Sequence, residues 1–151
     1  MLHCRFRLNN RPVSELIVDE IGWFPAFSGN ESFRNNVAAQ CLEGIGPIPL
    51  GKYYIFDRET GGRLGGLWDY FGDKDDWFAL YAIDNEIDDA AWCEKVSRGQ
   101  FRLHHGGSSD GCITVIDGAQ YKILHSMIKS HGATPVKSSN LPAYGTLEIT
   151  I

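Results

Sequence analysis

The segment FRLHHGGSSDGCITV, residues 101–115, carries the densest group of reactive side chains in the chain. His104 and His105 are adjacent and Cys112 follows a loop of small residues, although the sequence has only 4 cysteines and 5 histidines. Such a loop can expose a thiol and bring backbone N–H groups close to a reacting carbonyl, as an oxyanion requires. A histidine at the end of the preceding strand can accept the thiol proton. The spacing therefore indicates a cysteine nucleophile in acyl transfer from an amide or ester.

The same residue types could bind zinc, and this alternative is weaker. Side chains of adjacent residues on an extended segment point to opposite faces, so His104 and His105 would not easily reach one ion together. His125 and His131 are six residues apart, on and just after a predicted helix, and do not align on one face. The cysteines form no CxxC pair, which is poor spacing for a structural zinc site.

The remaining cysteines are expected to be structural. The N-terminal MLHCRFRLNN has no apolar segment typical of a secretory signal, which favours synthesis in a reducing compartment and free thiols. Cys4 lies in an alternating strand and is expected to be a small buried apolar residue. The same interpretation is extended to Cys41 and Cys93.

Size and composition predict one domain over residues 1–151 and exclude two classes of function. The net charge is −5 and no block of Lys or Arg stands out, which argues against binding to nucleic acid. No apolar run approaches the roughly 18–20 residues of a membrane span. The 17 glycines and the 12% aromatic content favour strands and tight turns over a helical bundle.

Alternating or β-rich segments must position the reactive residues. LHCRFRL and SELIVDEIG predict an N-terminal hairpin, and GKYYIFD, WFALYAID, QFRLHH, CITVI and LPAYGTLEITI predict further strands. DGAQYKILHSMIKSHG predicts one substantial helix, with Asp117 as N-cap and Gly132 at its end. Its apolar face comprises Tyr121, Leu124, Met127 and Ile128. The fold class is mainly β, a small barrel or sandwich with one helix after the cysteine loop.

The segment 67–92 differs from the rest because it is acidic and aromatic, with Trp68, Trp77 and Trp92. Besides the strand WFALYAID it predicts long loops and a helix around Asp88–Lys95. Long loops in compact domains are often functional. The segment is therefore a candidate lid over the site or a binding surface for a partner protein. The alternative is that its aromatic side chains only pack the loop onto the sheet.

Several motifs resemble, in the same order, those of the L,D-transpeptidase (YkuD-like) family of peptidoglycan enzymes. SDGCITV resembles the family's S/T-x-G-C signature, and FRLH resembles the strand that carries its catalytic histidine. GPIPLGKYYI, residues 46–55, resembles the TP-x-G-x-Y/F strand entry, and AFSGN, residues 26–30, resembles the preceding STG segment. The C-terminal AYGTLEITI also fits. The resemblance covers the chain from about Leu16 to its end and implies an L,D-transpeptidase-like β-barrel or sandwich.

The compact spacing from histidine to cysteine, the FRLH start and the GCIT ending most resemble one branch, the L,D-transpeptidase effectors of type VI secretion systems. This implies an antibacterial toxin made in the bacterial cytoplasm and delivered by the secretion apparatus to the periplasm of target cells. The lack of a signal peptide agrees, because injection replaces export. The implied partners are the peptidoglycan stem peptide and a cognate immunity protein. Neither a cofactor nor membrane insertion is implied.

The resemblance also assigns roles to individual residues. Cys112 would be the nucleophile, and His104, directly after Phe-Arg-Leu, would be its base. His105 is the runner-up for the base because it directly precedes a glycine. Ser109 would support the histidine or the loop, and Gly111 would provide a backbone oxyanion donor together with Cys112.

Two positions depart from the family pattern. Asp110 stands where most members have histidine, and Thr114 stands where many have an arginine that helps hold the substrate. Arg102 lies two residues before His104 and points to the same face of the strand. We expect Arg102 to take over part of that role, with Asp110 and Thr114 as further substrate-binding positions.

The implied reaction is L,D-carboxypeptidase or L,D-transpeptidase chemistry on tetrapeptide stems through a thioester acyl-enzyme. Water as acceptor trims the stem, a free D-amino acid gives exchange, and a neighbouring stem gives a crosslink. The alternatives are a non-catalytic peptidoglycan-binding module of the same fold and, less favoured, a zinc-binding domain.

Overall fold

The computed structural model describes residues 1–58 and 76–151. Of the segment 67–92, residues 67–75, with Trp68, lie outside these ranges. Short 3-10 turns span Glu31–Phe33 and Val37–Ala39, and the helix α1 spans Gly118–His131. The strands are β1 Leu2–Arg7, β2 Ser14–Val18, β3 Gly22–Ser28, β4 Gly51–Asp57, β5 Phe78–Ala82, β6 Ala90–Cys93, β7 Val96–Gly99, β8 Phe101–His105, β9 Ile113–Val115, β10 Thr134–Pro135 and β11 Pro142–Thr150.

The main sheet closes into a barrel. Its 9 strands run in the order β1-β2-β3-β9-β8-β5-β4-β11-β10, and β11 also pairs with β1. This second pairing is parallel, from Leu2 opposite Gly145 to Arg7 opposite Thr150. The strands other than β10 therefore form a closed ring, which removes the exposed edges of an open sheet. Within residues 1–58 and 76–151, the expected mainly β barrel with one substantial helix is confirmed.

A parallel pair of neighbouring strands, β8 and β9, positions most of the candidate site. Leu103 lies opposite Ile113 and His104 opposite Thr114. Leu103 and Ile113 belong to the main core. Because side chains alternate between the two faces of a sheet, the opposite face carries a different set of residues. These are Arg102, His104, Cys112 and Thr114.

The helix packs one apolar face into the main core, as predicted. Its buried residues are Tyr121, Leu124 and Ile128. Met127, expected on this face, is 38% exposed because it lies at the edge of the apolar stripe. The carboxylate of Asp117 accepts hydrogen bonds from the N–H groups of the second and third helical residues, which is the predicted N-cap.

The N-terminal hairpin and the other predicted strands are confirmed, but the helix expected around Asp88–Lys95 is wrong. Residues Ala90–Cys93 and Val96–Gly99 form the antiparallel hairpin β6–β7. The burial of β6 alternates from residue to residue, which matches the period of a strand. Glu94, with φ 54°, makes the tight turn.

Cys41 and Cys93 form a disulfide, which corrects the expectation that both are simply small buried apolar residues. The two residues are separated by 52 positions, and their Cα atoms lie 5.2 Å apart. The bond ties the β6–β7 hairpin to the segment that follows the second 3-10 turn. Cys4 is a free, buried cysteine, as expected. No helix within the described ranges is both long and apolar enough to cross a membrane.

Candidate active site

Cys112 lies immediately before β9, at the end of the loop that leaves β8. Its thiol is free and partly exposed. It lines a cavity of about 700 Å³ together with Trp77, Asp89, Arg98 and Asp110. The cavity lies between the cysteine loop and the β6–β7 hairpin, so the hairpin provides one wall of the space beside the thiol.

Ser109 holds the cysteine loop in shape. Its side chain is buried, and its hydroxyl donates to the Cys112 carbonyl oxygen at 2.6 Å. The Ser109 hydroxyl oxygen in turn accepts hydrogen bonds from the N–H groups of Gly29 and Gly111, at 3.2 Å in each case. The Gly111 N–H, predicted as an oxyanion donor, is therefore engaged within the loop.

Ser28 in the AFSGN segment fixes the same loop from the other side. It is fully buried, donates from Oγ to the Gly111 carbonyl oxygen at 3.0 Å and accepts from the Ile48 N–H at 2.8 Å. Gly111 itself has φ 119°, and a Cβ there would lie 2.8 Å from the ring of Phe101. This position therefore requires glycine.

His104 is held in a defined orientation on the Cys112 face of β8. It is 6% exposed, and its Nδ1 lies 2.9 Å from the His105 carbonyl oxygen. Because a carbonyl can only accept, this contact assigns the proton of the neutral ring to Nδ1 and makes Nε2 the acceptor. Trp77 stacks on the ring, with 4.0 Å between centroids and 15° between planes. Trp77 also lines the Cys112 cavity.

His105 points to the other face of β8. Its ring is exposed and lies 5.6 Å from the ring of Tyr121 on the helix. The alternation of the strand thus brings His104, and not His105, to the face that carries Cys112.

Arg102 lies on the same face and is already paired. Its guanidinium binds the Asp89 carboxylate in a bidentate manner, at 2.8 and 2.7 Å. Bidentate pairs are the stronger kind of ion pair. The contact anchors the start of the β6–β7 hairpin to β8 next to Cys112. A substrate carboxylate would have to share or replace Asp89 to reach this arginine.

The other two predicted substrate positions differ from each other. The Asp110 side chain is exposed and lines the cavity. Thr114 is fully buried, and its hydroxyl donates to the Ser108 carbonyl oxygen at 3.5 Å. Thr114 therefore lies beneath the loop, whereas Asp110 faces the space beside Cys112.

A match to a known family covers all of these residues. The model of the Tlde1 domain matches residues 22–139, well over half of the chain. The chain belongs to the Tlde1 domain family. Tlde1 domains are domains of type VI secretion effectors, which implies delivery by that apparatus to target cells and a cognate immunity protein. Searches of curated proteins and of solved structures gave no match.

Burial dominates the electrostatics of the cysteine in this Tlde1 domain. It raises the pKa of the Cys112 thiol, while a hydrogen bond from the Arg102 backbone and the charge of its guanidinium act in the opposite direction. The carboxylates of Asp110 and Asp89 raise the pKa further. Since the net shift is upward, the thiol is protonated near neutral pH and needs a base to become a nucleophile.

Reasoning from the sequence missed two groups that shape the site. Ser28 lies in the AFSGN segment, whose motif pointed to the right place but not to the hydrogen bonds it makes. Arg98 on β7 is buried and lines the Cys112 cavity. Arg98 lies just after the helix that was expected around Asp88–Lys95, and nothing in the local sequence signalled a role in the site. Within residues 1–58 and 76–151, no three His, Cys, Asp or Glu side chains form a group that could hold a metal ion.

Proposed function

We propose that this Tlde1 domain is a cysteine L,D-transpeptidase and L,D-carboxypeptidase acting on the tetrapeptide stems of peptidoglycan. The observation that carries the proposal is the placement of His104 on β8 and of Cys112 directly before the parallel neighbouring strand β9, with Trp77 stacked on His104 and lining the Cys112 cavity of about 700 Å³. The resemblance of SDGCITV and FRLH to the family's signature segments supports the substrate class.

The first half-reaction begins from a neutral pair. Cys112 Sγ attacks the carbonyl carbon of the third stem residue, usually diaminopimelate, at its L-centre. The thiol proton passes to Nε2 of His104, whose Nδ1–H remains bonded to the His105 carbonyl oxygen. The tetrahedral intermediate then collapses. Its C–N bond breaks, the terminal D-alanine leaves with the proton from His104, and a thioester remains on Cys112.

The oxyanion of the tetrahedral intermediate needs a donor close to the nucleophile. The Gly111 N–H already donates to Ser109, so we assign this contact to the Cys112 N–H. Gly111, Ser109 and Ser28 then keep the loop in the conformation that presents this amide.

The second half-reaction depends on the acceptor. His104 takes a proton from water or from an amine as that group attacks the thioester carbonyl, and Cys112 leaves as the thiol. Water yields a tripeptide stem, a free D-amino acid yields an exchanged tetrapeptide, and a neighbouring stem yields a crosslink. Trimming or exchange would remove the donor stems that a target cell needs.

We place this reaction in the periplasm of target cells. The Cys41–Cys93 disulfide supports that assignment, because disulfides persist in the bacterial periplasm and are rare in the reducing cytoplasm. The stem peptide and the immunity protein are the proposed partners there.

Mass spectrometry of purified disaccharide-tetrapeptide muropeptides tests the proposal. The chain is incubated with them, with and without a free D-amino acid. We expect the terminal D-alanine to be lost or replaced, and we expect Cys112→Ala to abolish both products. Cys4→Ala is the matched control, because it removes the other free thiol, which is buried. If the muropeptides bind to the protein but remain unchanged, the enzyme hypothesis is wrong and the binding-module hypothesis is favoured.

A further inference from the structure

Arg98 is a buried cation whose hydrogen-bond partners, within the described ranges, are all backbone carbonyls. The residue is 6% exposed. Its Nη1 donates to the carbonyl oxygens of Gln40 and Pro47, at 2.6 and 3.2 Å. Its Nη2 donates to those of Gly46 and Asp110, at 3.1 and 3.5 Å. Burying a charge is costly unless its donors are satisfied, so this arrangement calls for an explanation beyond packing.

The same guanidinium lies directly against the cysteine loop. The Asp110 carbonyl that it binds is two residues before Cys112, and a Cβ added at Gly111 would lie only 2.6 Å from Nη2. Arg98 and Cys112 line the same cavity. Burial lowers the pKa of Arg98, and negative charge on Tyr53, Glu43 and Cys112 opposes that shift, so the cation and a thiolate at Cys112 favour each other.

We propose that Arg98 is a positioning residue for the thiol chemistry of Cys112, an inference that rests on the proposed function. Its forked donors hold the turn of residues 110–112 against the segment of residues 40–47, and this sets the direction in which Sγ faces the cavity. Arginine suits this role because its planar guanidinium satisfies several acceptors at once, whereas lysine is a single point donor.

The fold does not depend on Arg98 alone. The Cys41–Cys93 disulfide joins the same segment to the β6–β7 hairpin covalently, and Ser28 binds the loop from the opposite side. Removal of the guanidinium should therefore displace the loop locally without unfolding the barrel.

Two variants distinguish the effect of the charge of Arg98 from the effect of its forked hydrogen bonds. Arg98→Lys keeps the charge but loses the fork, whereas Arg98→Met loses both. Arg5→Lys is the matched control, because Arg5 makes a surface ion pair with Asp19. Displacement of a reacting group by about 1 Å can cost roughly 100-fold in rate. We expect Arg98→Lys to lower kcat on tetrapeptide muropeptides by about 10- to 100-fold, with KM changed less than about threefold. A kcat for Arg98→Lys within twofold of the Arg5→Lys value would overturn the proposal.

Alkylation of Cys112 by iodoacetamide provides a second readout that needs no muropeptide. We expect Arg98→Met to move the pH midpoint of alkylation upward, because a cation beside the thiolate is lost. Arg98→Lys should leave the midpoint near that of the wild type while kcat falls. An unchanged midpoint in Arg98→Met would show that the residue is merely structural.

The two readouts distinguish failure of this inference from failure of the proposed function. If the wild type leaves muropeptides unchanged, the proposed function fails, and the alkylation midpoint still decides whether Arg98 acts on the thiol. If the circular dichroism spectrum shows that Arg98→Lys is unfolded, Arg98→Gln is used instead. The side chain of glutamine is shorter and has a planar amide, and we expect the same decrease in kcat.

Discussion

The two adjacent histidines have opposite orientations, and this difference can be tested directly. His104 lies on the Cys112 face with Nδ1 bound to a carbonyl, whereas His105 packs near Tyr121. General-base catalysis contributes roughly 10²- to 10⁴-fold. We expect His104→Gln to lower kcat on tetrapeptide muropeptides by about that factor and His105→Gln to lower it by less than about threefold. The reverse order would move the base to His105.

The two free thiols should differ sharply in reactivity. Burial raises the pKa of Cys4 to about 12, and Cys4 is 4% exposed. Cys112 is partly exposed, and its pKa is also raised, chiefly by burial. We expect iodoacetamide to modify Cys112 alone in the native chain. The rate should increase with pH, because the reactive thiolate is the minor form near neutrality.

Peptide mass mapping after a short exposure at several pH values identifies the modified cysteine. Alkylation of Cys4 at the same rate would mean that the barrel opens readily. An inert Cys112 would favour the binding module over the enzyme.

Variants of the ion pair between Arg102 and Asp89 can distinguish a substrate-binding role of Arg102 from a purely structural one. If Arg102 only anchors the hairpin, Asp89→Ala should reproduce the effect of Arg102→Ala. If Arg102 also holds the substrate, Arg102→Ala should raise KM on tetrapeptide muropeptides about tenfold or more, as expected when a charged hydrogen bond is lost, and Asp89→Ala should not. We expect the second result. Wild-type kinetics in Arg102→Ala would exclude any substrate role for Arg102.

At the scale of elements, the sequence predicted those strands and the helix that depend on interactions between residues close in the chain. Alternation identified β1 and β8, residue types typical of strands identified β4, and a capping aspartate with a glycine at the far end identified the helix. These signals act within a few residues. The same signals predicted that His104 and Cys112 lie on neighbouring segments, because only a short loop separates the two strands.

What the sequence could not predict depends on contacts between distant segments. A helix was expected around Asp88–Lys95, yet the cross-strand pairs of β6 and β7 and the bond from Cys93 to Cys41 favour a hairpin. Arg98 became part of the site because residues 40–47 and the cysteine loop converge on it. The Ser28 hydrogen bond to Gly111 spans 83 positions and has no local signal.

The disulfide should stabilise both the hairpin and the site. Closing a loop of 52 residues contributes roughly 2–4 kcal/mol, because it restricts the unfolded chain. We expect the double variant Cys41→Ala/Cys93→Ala to lose about that much free energy of unfolding in urea. Its kcat should also fall, since the freed segment holds Arg98.

Cys112→Ala is the control for this measurement, because it removes a thiol that is in no disulfide. Its free energy of unfolding should stay within about 0.5 kcal/mol of the wild type. Equal stability of the double variant and the wild type would mean that packing alone holds the hairpin.

At the scale of the whole molecule, both ends of the chain complete the barrel. The family match begins at Gly22 and ends at Ser139, so β1, β2 and β11 lie outside it. Yet β11 pairs with both β4 and β1, and β9 pairs with β3. The strands that carry the site are therefore members of a ring that the terminal strands close.

Buried ionisable groups on both faces of this ring should make the molecule sensitive to alkali. Burial raises the pKa of Tyr81 to about 12 and also raises the pKa values of Cys4, Tyr53 and Tyr121. Above about pH 9, the unfolded chain loses protons that the native chain retains. The free energy of unfolding should therefore decrease as the pH rises from about 9 to 12, and these groups should cause no change below that window.

Two tyrosines allow this prediction to be tested with matched substitutions. Within the described part of the chain, the Tyr81 hydroxyl is buried without a hydrogen-bond partner, whereas the Tyr121 hydroxyl donates to the carbonyls of Asp76 and Leu103. Tyr81→Phe removes an unpaired hydroxyl and an ionising group, so it should raise neutral stability by about 1 kcal/mol and flatten the alkaline decline. Tyr121→Phe should flatten the decline but lower neutral stability by about 1 kcal/mol, because two carbonyls lose a donor. Urea unfolding at a series of pH values, followed by tyrosinate absorbance, measures both effects. An alkaline decline of unchanged slope in Tyr81→Phe would mean that Tyr81 ionises equally readily in the native and unfolded chains.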